Sequence, residues 1–396
     1  MSTEEGQVSQ GSRGWYRPML SRDPAESHRV ATPLELLFDL CFVVAVAQAA
    51  AGLHHAVVEN HVGGGLVGFG FAFFAIWWGW MNFTWFASAF DTDDVLYRLT
   101  TFVQIAGGLV VAAGIPRVFE HDYRVVVAGY MVMRLAMVAQ WLRAAKSAPD
   151  CRASSIRYAV GILVTQVCWL AWLLLPTPVM IATFAVFALM ELATPVWAER
   201  AHGTNYHRHH VAERYGLFTI IVLGETVLSA TVAIRDGVAA GEHVGALVSL
   251  AVAGLVIVFS LWWVYFDQPG HRRLTTLRAS IAWGYGHFVV FASLAAIGAG
   301  IGAAVDYDLH ESHTSGVVTA FATTIPIALF LLSVWLLHVG PGERGLVRLA
   351  FPTTAVLVLL ATFTPAPIHV AAVLCALLVV AMVVTRHGVP RAAETP

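Results

Sequence analysis

The chain has 396 residues, of which 58% are hydrophobic and 12% charged, with a formal net charge of −2. Soluble globular chains carry about 25% charged residues, and the mean hydropathy here is +0.70. The balance excludes a soluble globular domain and a nucleic-acid binder working by general basicity, and it predicts an all-α integral membrane protein.

Smaller counts exclude further chemistry. Among 23 basic residues the one lysine, Lys146, falls in a charged loop, so no embedded amine is present to form a Schiff base. Cys41, Cys151, Cys168 and Cys375 show no CxxC or CxxH spacing, which argues against a disulfide framework or a structural zinc. Residues 1–32 are polar and lack an apolar stretch beside a small-residue cleavage site, so no signal peptide is expected.

A spanning helix needs about 20 mostly apolar residues. Twelve segments qualify: 33–54, 65–87, 97–115, 123–144, 155–175, 178–197, 212–233, 244–266, 279–303, 316–338, 345–362 and 367–385. With the N-terminus in the cytoplasm, 19 of the 23 Lys and Arg residues fall inside. Arg117, Arg124 and Arg235 fall outside, and Arg134 lies within the fourth span. That bias supports an even number of spans with both ends in the cytoplasm.

Span one, "TPLELLFDL", opens with Thr32 as cap, Pro33 at the first helical position and Glu35 three residues after the cap, a capping-box pattern. Asp39 lies one turn deeper on the same face and has no such structural role, so it is a candidate proton or cation ligand. The stretch "WWGWMNFTWFASAFDTDDVLYRLTT" brings Trp78, Trp80, Asn82, Thr84 and Trp85 into span two, too deep for all of them to form an interfacial belt. They are candidates for lining a cavity, together with Glu35, Arg214, Trp263 and His287. Asp91, Asp93, Asp94 and Arg98 follow as a cytoplasmic acidic cluster. Carboxylates suit hard cations, but capping of span three with neutralisation by Arg98 accounts for them more simply.

Arg134 sits midway along span four and stays charged, so it needs a counter-charge, expected from Asp39 or Glu225. Glu225 lies in the middle of the apolar run "ERYGLFTIIVLGETVLSA" of span seven, and Gly224 beside it suggests a close helix approach. A charge there costs ~3 kcal/mol on insertion scales. Asp39, Arg134 and Glu225 together form the expected intramembrane ion or proton site. His207, His209 and His210 form a short tract before span seven, a weak metal signal without spaced partners. The pieces "VGGGLVGFGF" and "AAIGAGIGAA" read as small-residue packing faces.

The halves look alike. "LLFDLCFVVAVA" in span one matches "GLFTIIVLGETV" in span seven, "WWGWMNF" matches "WWVYFD", and "RLTT" recurs at Arg98 and Arg273, in the same order. The chain therefore divides into a tail, 1–32, two parallel six-helix repeats, 33–200 and 201–386, and a second tail, 387–396.

The motifs "PLELLFDLCFVVAVAQ", "WWGWMNFTWFASAFDTDDVLYRL" and "ERYGLFTIIVLGETVLSA" resemble the bacterial low temperature requirement A family, from about residue 29 to 385. The resemblance carries Glu35, Phe38, Asp39, Trp78, Trp80, Asn82, Thr84, Trp85, Asp91, Asp93, Asp94, Arg98, Arg134, Glu213, Arg214, Gly216 and Glu225. It implies a polytopic inner-membrane protein linked to growth in the cold and names no reaction.

The expected function is that of a transporter or channel. The intramembrane carboxylates would handle a proton or cation, with a small ion or small molecule as cargo and the lipid bilayer as surroundings. Two alternatives stay open: an intramembrane enzyme acting on a lipid or isoprenoid, with the acidic cluster holding metal-bound diphosphate, and a structural or sensory protein. No motif calls for a cofactor, no nucleic-acid partner is expected, and the sequence leaves homo-oligomerisation open.

Overall fold

A computed structural model describes residues 14–22, 30–90, 92–239, 244–268, 270–340 and 346–387. Among these residues the chain forms twelve α-helices: α1 (Pro33–Val58), α2 (Val62–Ala89), α3 (Val95–Phe119), α4 (Arg124–Ser147), α5 (Arg152–Trp172), α6 (Thr177–Glu199), α7 (Arg208–Ala239), α8 (Val244–Phe266), α9 (Leu277–Asp308), α10 (Gly316–Val334), α11 (Leu346–Ala361) and α12 (Pro367–His387). Ten are long and apolar enough to cross a membrane. The protein is a multi-pass membrane protein, and each expected span corresponds to a helix.

Local sequence sets the helix ends. At α1 the full capping box forms: the Thr32 side chain accepts from the Glu35 N–H while the Glu35 carboxylate takes the Thr32 N–H. Asp94, Thr276 and Ser315 cap α3, α9 and α10 in the same way, each accepting from a backbone N–H in the first turn. Between α5 and α6 the "LPTPV" turn leaves Pro178 near the helix start, where its missing N–H costs nothing. α7 begins at Arg208, one turn earlier than apolarity alone suggests, because its first turns are charged yet buried.

Small residues let the central helices touch. A Cβ on Gly129 of α4 would lie 2.7 Å from the Gly107 carbonyl of α3, and one on Gly300 of α9 would overlap the Ala322 carbonyl of α10. "AAIGAGIGAA" is thus a packing face. Gly224 does not follow this pattern: a Cβ there meets nothing within 4 Å. The close approach expected of it falls instead at Gly298 of α9, where a Cβ would lie 3.1 Å from the Thr226 Cα.

Neighbour pairs repeat along the chain. α1 packs on α2 and α3, α3 on α4, α4 on α5 and α5 on α6; α7 packs on α8 and α9, α9 on α10, α10 on α11 and α11 on α12. α1 and α2 meet α7 and α9, forming a seam between the first six helices and the last six. α8 also packs on α12.

Candidate functional site: two buried carboxylates flanking α2

Residues two apart on a helix point about 200° away from each other. Trp78 and Trp80 on α2 therefore face opposite sides, and each indole N–H meets a buried carboxylate. Trp80 donates to Asp39 at 2.7 Å, and Trp78 donates to Glu191 at 2.9 Å. α2 carries the wall shared by two polar clusters.

The first cluster lies on the seam. The Arg214 guanidinium of α7 grips Asp39 through two bonds, Nη2 to Oδ1 at 2.6 Å and Nε to Oδ2 at 3.1 Å. Its Nη1 lies 3.1 Å from Glu35 Oε1, and His210 Nε2 lies 3.3 Å from the same oxygen. Glu35 thus caps its helix and joins an ion cluster as well. Trp80 is enclosed by Phe218, Tyr215 and Phe291 from α7 and α9.

The second cluster lies inside the first six helices. Glu191 of α6 is 0% exposed and accepts from four donors on three other helices. These are Trp78 Nε1 and Arg134 Nη2 on Oε2, both at 2.9 Å, and Gln166 Nε2 and Trp169 Nε1 on Oε1, both at 3.2 Å. Arg134 is 2% exposed, lies over the Tyr130 ring, and has its Nε and Nη1 buried without partners.

The expected trio is therefore divided. Arg134 pairs with Glu191 rather than with Asp39 or Glu225, because α4 packs on α2, α3 and α5 while α7 packs on α1, α8 and α9. Asp39 pairs with Arg214. Glu225 is buried near the middle of α7, beside Thr226, whose hydroxyl donates to the Leu294 carbonyl of α9. Sequence reasoning missed Glu191, although a lone carboxylate in "FALMELATPVW" is the signal that singled out Glu225.

The other candidates scatter. Asn82 donates to the Trp78 carbonyl, and Trp85 donates to the Tyr215 hydroxyl at 3.0 Å. Thr84 is buried beside them, its carbonyl accepting from Ser88. Trp263 lines neither cluster. It is 43% exposed next to Trp262, on the face that α8 turns outward to lipid. His287 is fully buried in the last six helices, bonded to the Trp283 carbonyl and the Tyr265 hydroxyl, with His338 facing it from a π-helical turn at 335–339.

The acidic cluster resolves into separate pairs. Asp94 caps α3 and holds Arg143 and the Arg17 N–H. Burial pushes its carboxyl up, but the bonds from Arg143, Tyr97 N–H and Arg17 N–H outweigh this and hold it below the usual carboxylate range. Asp93 takes both bonds of Arg98, at 2.6 and 2.9 Å. Asp91 lies outside the described residues.

Two small cavities are lined in part by α2, and Glu191 lines neither. One of about 30 Å³ is lined by Asn82, Trp85, Tyr158, Pro195, Glu199 and Tyr285. Asn82 is bonded to Trp78, and the Tyr285 ring packs on it. The other, of about 40 Å³, is lined by Phe74, Tyr130, Trp169, Trp172 and Phe184. Tyr130 lies under Arg134, and Trp169 bonds Glu191. One water needs ~10–15 Å³, so each holds a few at most.

Residues 30–386 match the family model for the bacterial low temperature requirement A protein. An uncharacterized protein of Rhizobium meliloti (strain 1021) is 24% identical over 284 residues, covering 68% of this chain and 64% of that relative. No solved structure matches. The chain belongs to the bacterial low temperature requirement A family.

Proposed function

We propose that this member of the low temperature requirement A family moves a proton or small cation across the bacterial inner membrane, with Glu191 and Arg134 as the ion-handling pair. The observation that carries the reading is Glu191 itself: a carboxylate removed from solvent, in the interior of a membrane bundle, held by the buried guanidinium of Arg134. Ionisable groups in that position are expensive and mark ion or proton paths by default. A proton or cation reaching Glu191 competes with Arg134 for the carboxylate. Arg134, which keeps its charge, then turns its free Nε–H and Nη1–H to another acceptor, and the tight ring of donors opens. The aromatic walls on both sides keep the path closed in this conformation.

Two six-helix repeats fit the recurrence of the same neighbour pairs six helices apart, and the basic bias supports the cytoplasmic placement of both ends. The enzymatic alternative would draw on Asp93 and Asp94, which are paired with Arg98 and Arg143, and on Asp91, which lies outside the described residues.

The test is flux in proteoliposomes, read with an internal pH dye and with dyes for K⁺ and Na⁺. Glu191→Gln, which keeps the size and some of the hydrogen bonds, lowers the flux at least ~10-fold. Flux equal to that of the unaltered protein overturns the role of Glu191. Glu225→Gln in the same assay tests the role expected of that residue from sequence.

A further inference from the structure

We infer that the aromatic cavity at the end of α6 is a binding site for a small organic ammonium ion, with Glu199 as its counter-charge and the segment before α7 as its cover. The site is separate from the Glu191–Arg134 pair: Glu199 closes the same helix, ~12 Å further along its axis at 1.5 Å per residue.

Glu199 is 8% exposed. Its carboxylate accepts from the Tyr158 hydroxyl at 2.8 Å, from the Thr204 N–H at 2.8 Å and from the Thr204 hydroxyl at 2.7 Å. All three donors are neutral, and among the described residues no Lys, Arg or His pairs with it. Glu35, Asp39, Asp94 and Glu191 differ, since each meets an arginine. Glu199 is also the last residue of α6, where the helix dipole already presents negative charge. A buried charge without an opposite one is costly, so the place calls for a cation.

The walls say which kind. The cavity of about 30 Å³ that Glu199 lines is bounded by the rings of Trp85, Trp141, Tyr158, Tyr206 and Tyr285. Ring faces attract cations, and aromatic cages suit methylated ammonium groups. The polar ends of four rings are already committed: Trp85 to the Tyr215 hydroxyl, Tyr158 to Glu199, Tyr206 to Ser280 and Tyr285 to the Leu192 carbonyl. Asn82, also on the wall, gives its amide hydrogen to the Trp78 carbonyl and keeps its carbonyl oxygen as an acceptor. A hard divalent ion wants six or more oxygens, and among the described residues no three His, Cys, Asp or Glu side chains gather to hold a metal. The space takes a few waters, so the ion is small.

The cover is the segment 200–207. Gly203 turns it at φ +79°, a conformation that suits glycine. Thr204 fastens it to Glu199, and Tyr206 fastens it to Ser280 of α9, with its ring edge-on to Trp85 at 4.8 Å. The carboxylate that attracts the ion also latches the cover, so entry requires the cover to lift and a bound ion is shut off from water.

The test is calorimetric titration of the full chain in lipid nanodiscs, at constant ionic strength, with tetramethylammonium as the cation and tert-butanol as a neutral molecule of the same size. Tetramethylammonium binds saturably and tert-butanol does not. Glu199→Gln, checked for folding by thermal unfolding, weakens binding at least ~10-fold, because charge attraction is strong away from water. Tyr206→Leu weakens it about 3-fold or more, whereas Tyr206→Phe, which keeps the ring, retains it. No saturable binding of tetramethylammonium by the unaltered protein overturns the site, whether or not the variants fold. Equal binding of tert-butanol overturns its preference for a cation, and full affinity in folded Glu199→Gln overturns the role of Glu199.

Discussion

Single residues divide the polar interior into two clusters, and the division turns on Trp78 and Trp80. The sequence shows that some of the tryptophans on α2 must face protein, without saying which, and that Asp39 lies inside span one. What the sequence did not disclose is which charge meets which. Arg134 is drawn to Glu191 by helix adjacency, a tertiary fact with no local trace. Arg214, at the start of the expected seventh span and named only as a cavity-lining candidate, lies two turns inside α7 and grips Asp39. Removing one partner of a buried pair strands the other, so Glu191→Ala destabilises the protein by about 3–5 kcal/mol, measurable by thermal unfolding in detergent. Asp94 allows a cleaner pH experiment. Its carboxyl is held below the usual range, so its contribution is present above the unfolded value and lost as pH falls through the folded one. Asp94→Asn keeps the cap and removes the ion pair with Arg143. The stability gap between it and the unaltered protein is present at pH 7 and shrinks below about pH 4; a gap independent of pH contradicts the pairing.

At the scale of helices, existence and order were legible because hydrophobic length is a strong signal in membranes. Helix starts were less so where the first turn is charged but buried, as in α7. Facing was least legible: Gly224 turns to open space, while Gly298, Gly300, Gly107 and Gly129 take the close contacts. Trp263 resembles Trp78 in its sequence context and yet faces outward, because in a bilayer the outer face of a helix is as apolar as the core and the pattern carries no facing. Close backbone contact makes a sharp prediction. Gly129→Leu forces α3 and α4 apart and costs at least ~1–3 kcal/mol, read as a lower unfolding temperature, whereas Gly70→Leu, where a Cβ meets nothing within 4 Å, has little effect.

At the scale of the whole molecule, two groups of six helices meet on a seam of α1 and α2 against α7 and α9. One cluster, Asp39–Arg214–Glu35–His210, ties that seam. The other, Glu191–Arg134, lies off it, within the first six helices. A tie across a seam and a pair buried within one half are suited to different work: on the proposed reading the first holds the halves together and the second handles the ion. The distinction can be measured, because a mere fastener is replaceable by well-packed apolar residues with little loss of stability or even a gain. The decisive comparison is the double variant Arg134→Leu/Glu191→Leu, purified, checked by thermal unfolding and reconstituted beside the unaltered protein for proton and alkali-cation flux. The account predicts a folded protein of similar stability whose flux is abolished. A double variant that folds and conducts as well as the unaltered chain contradicts it.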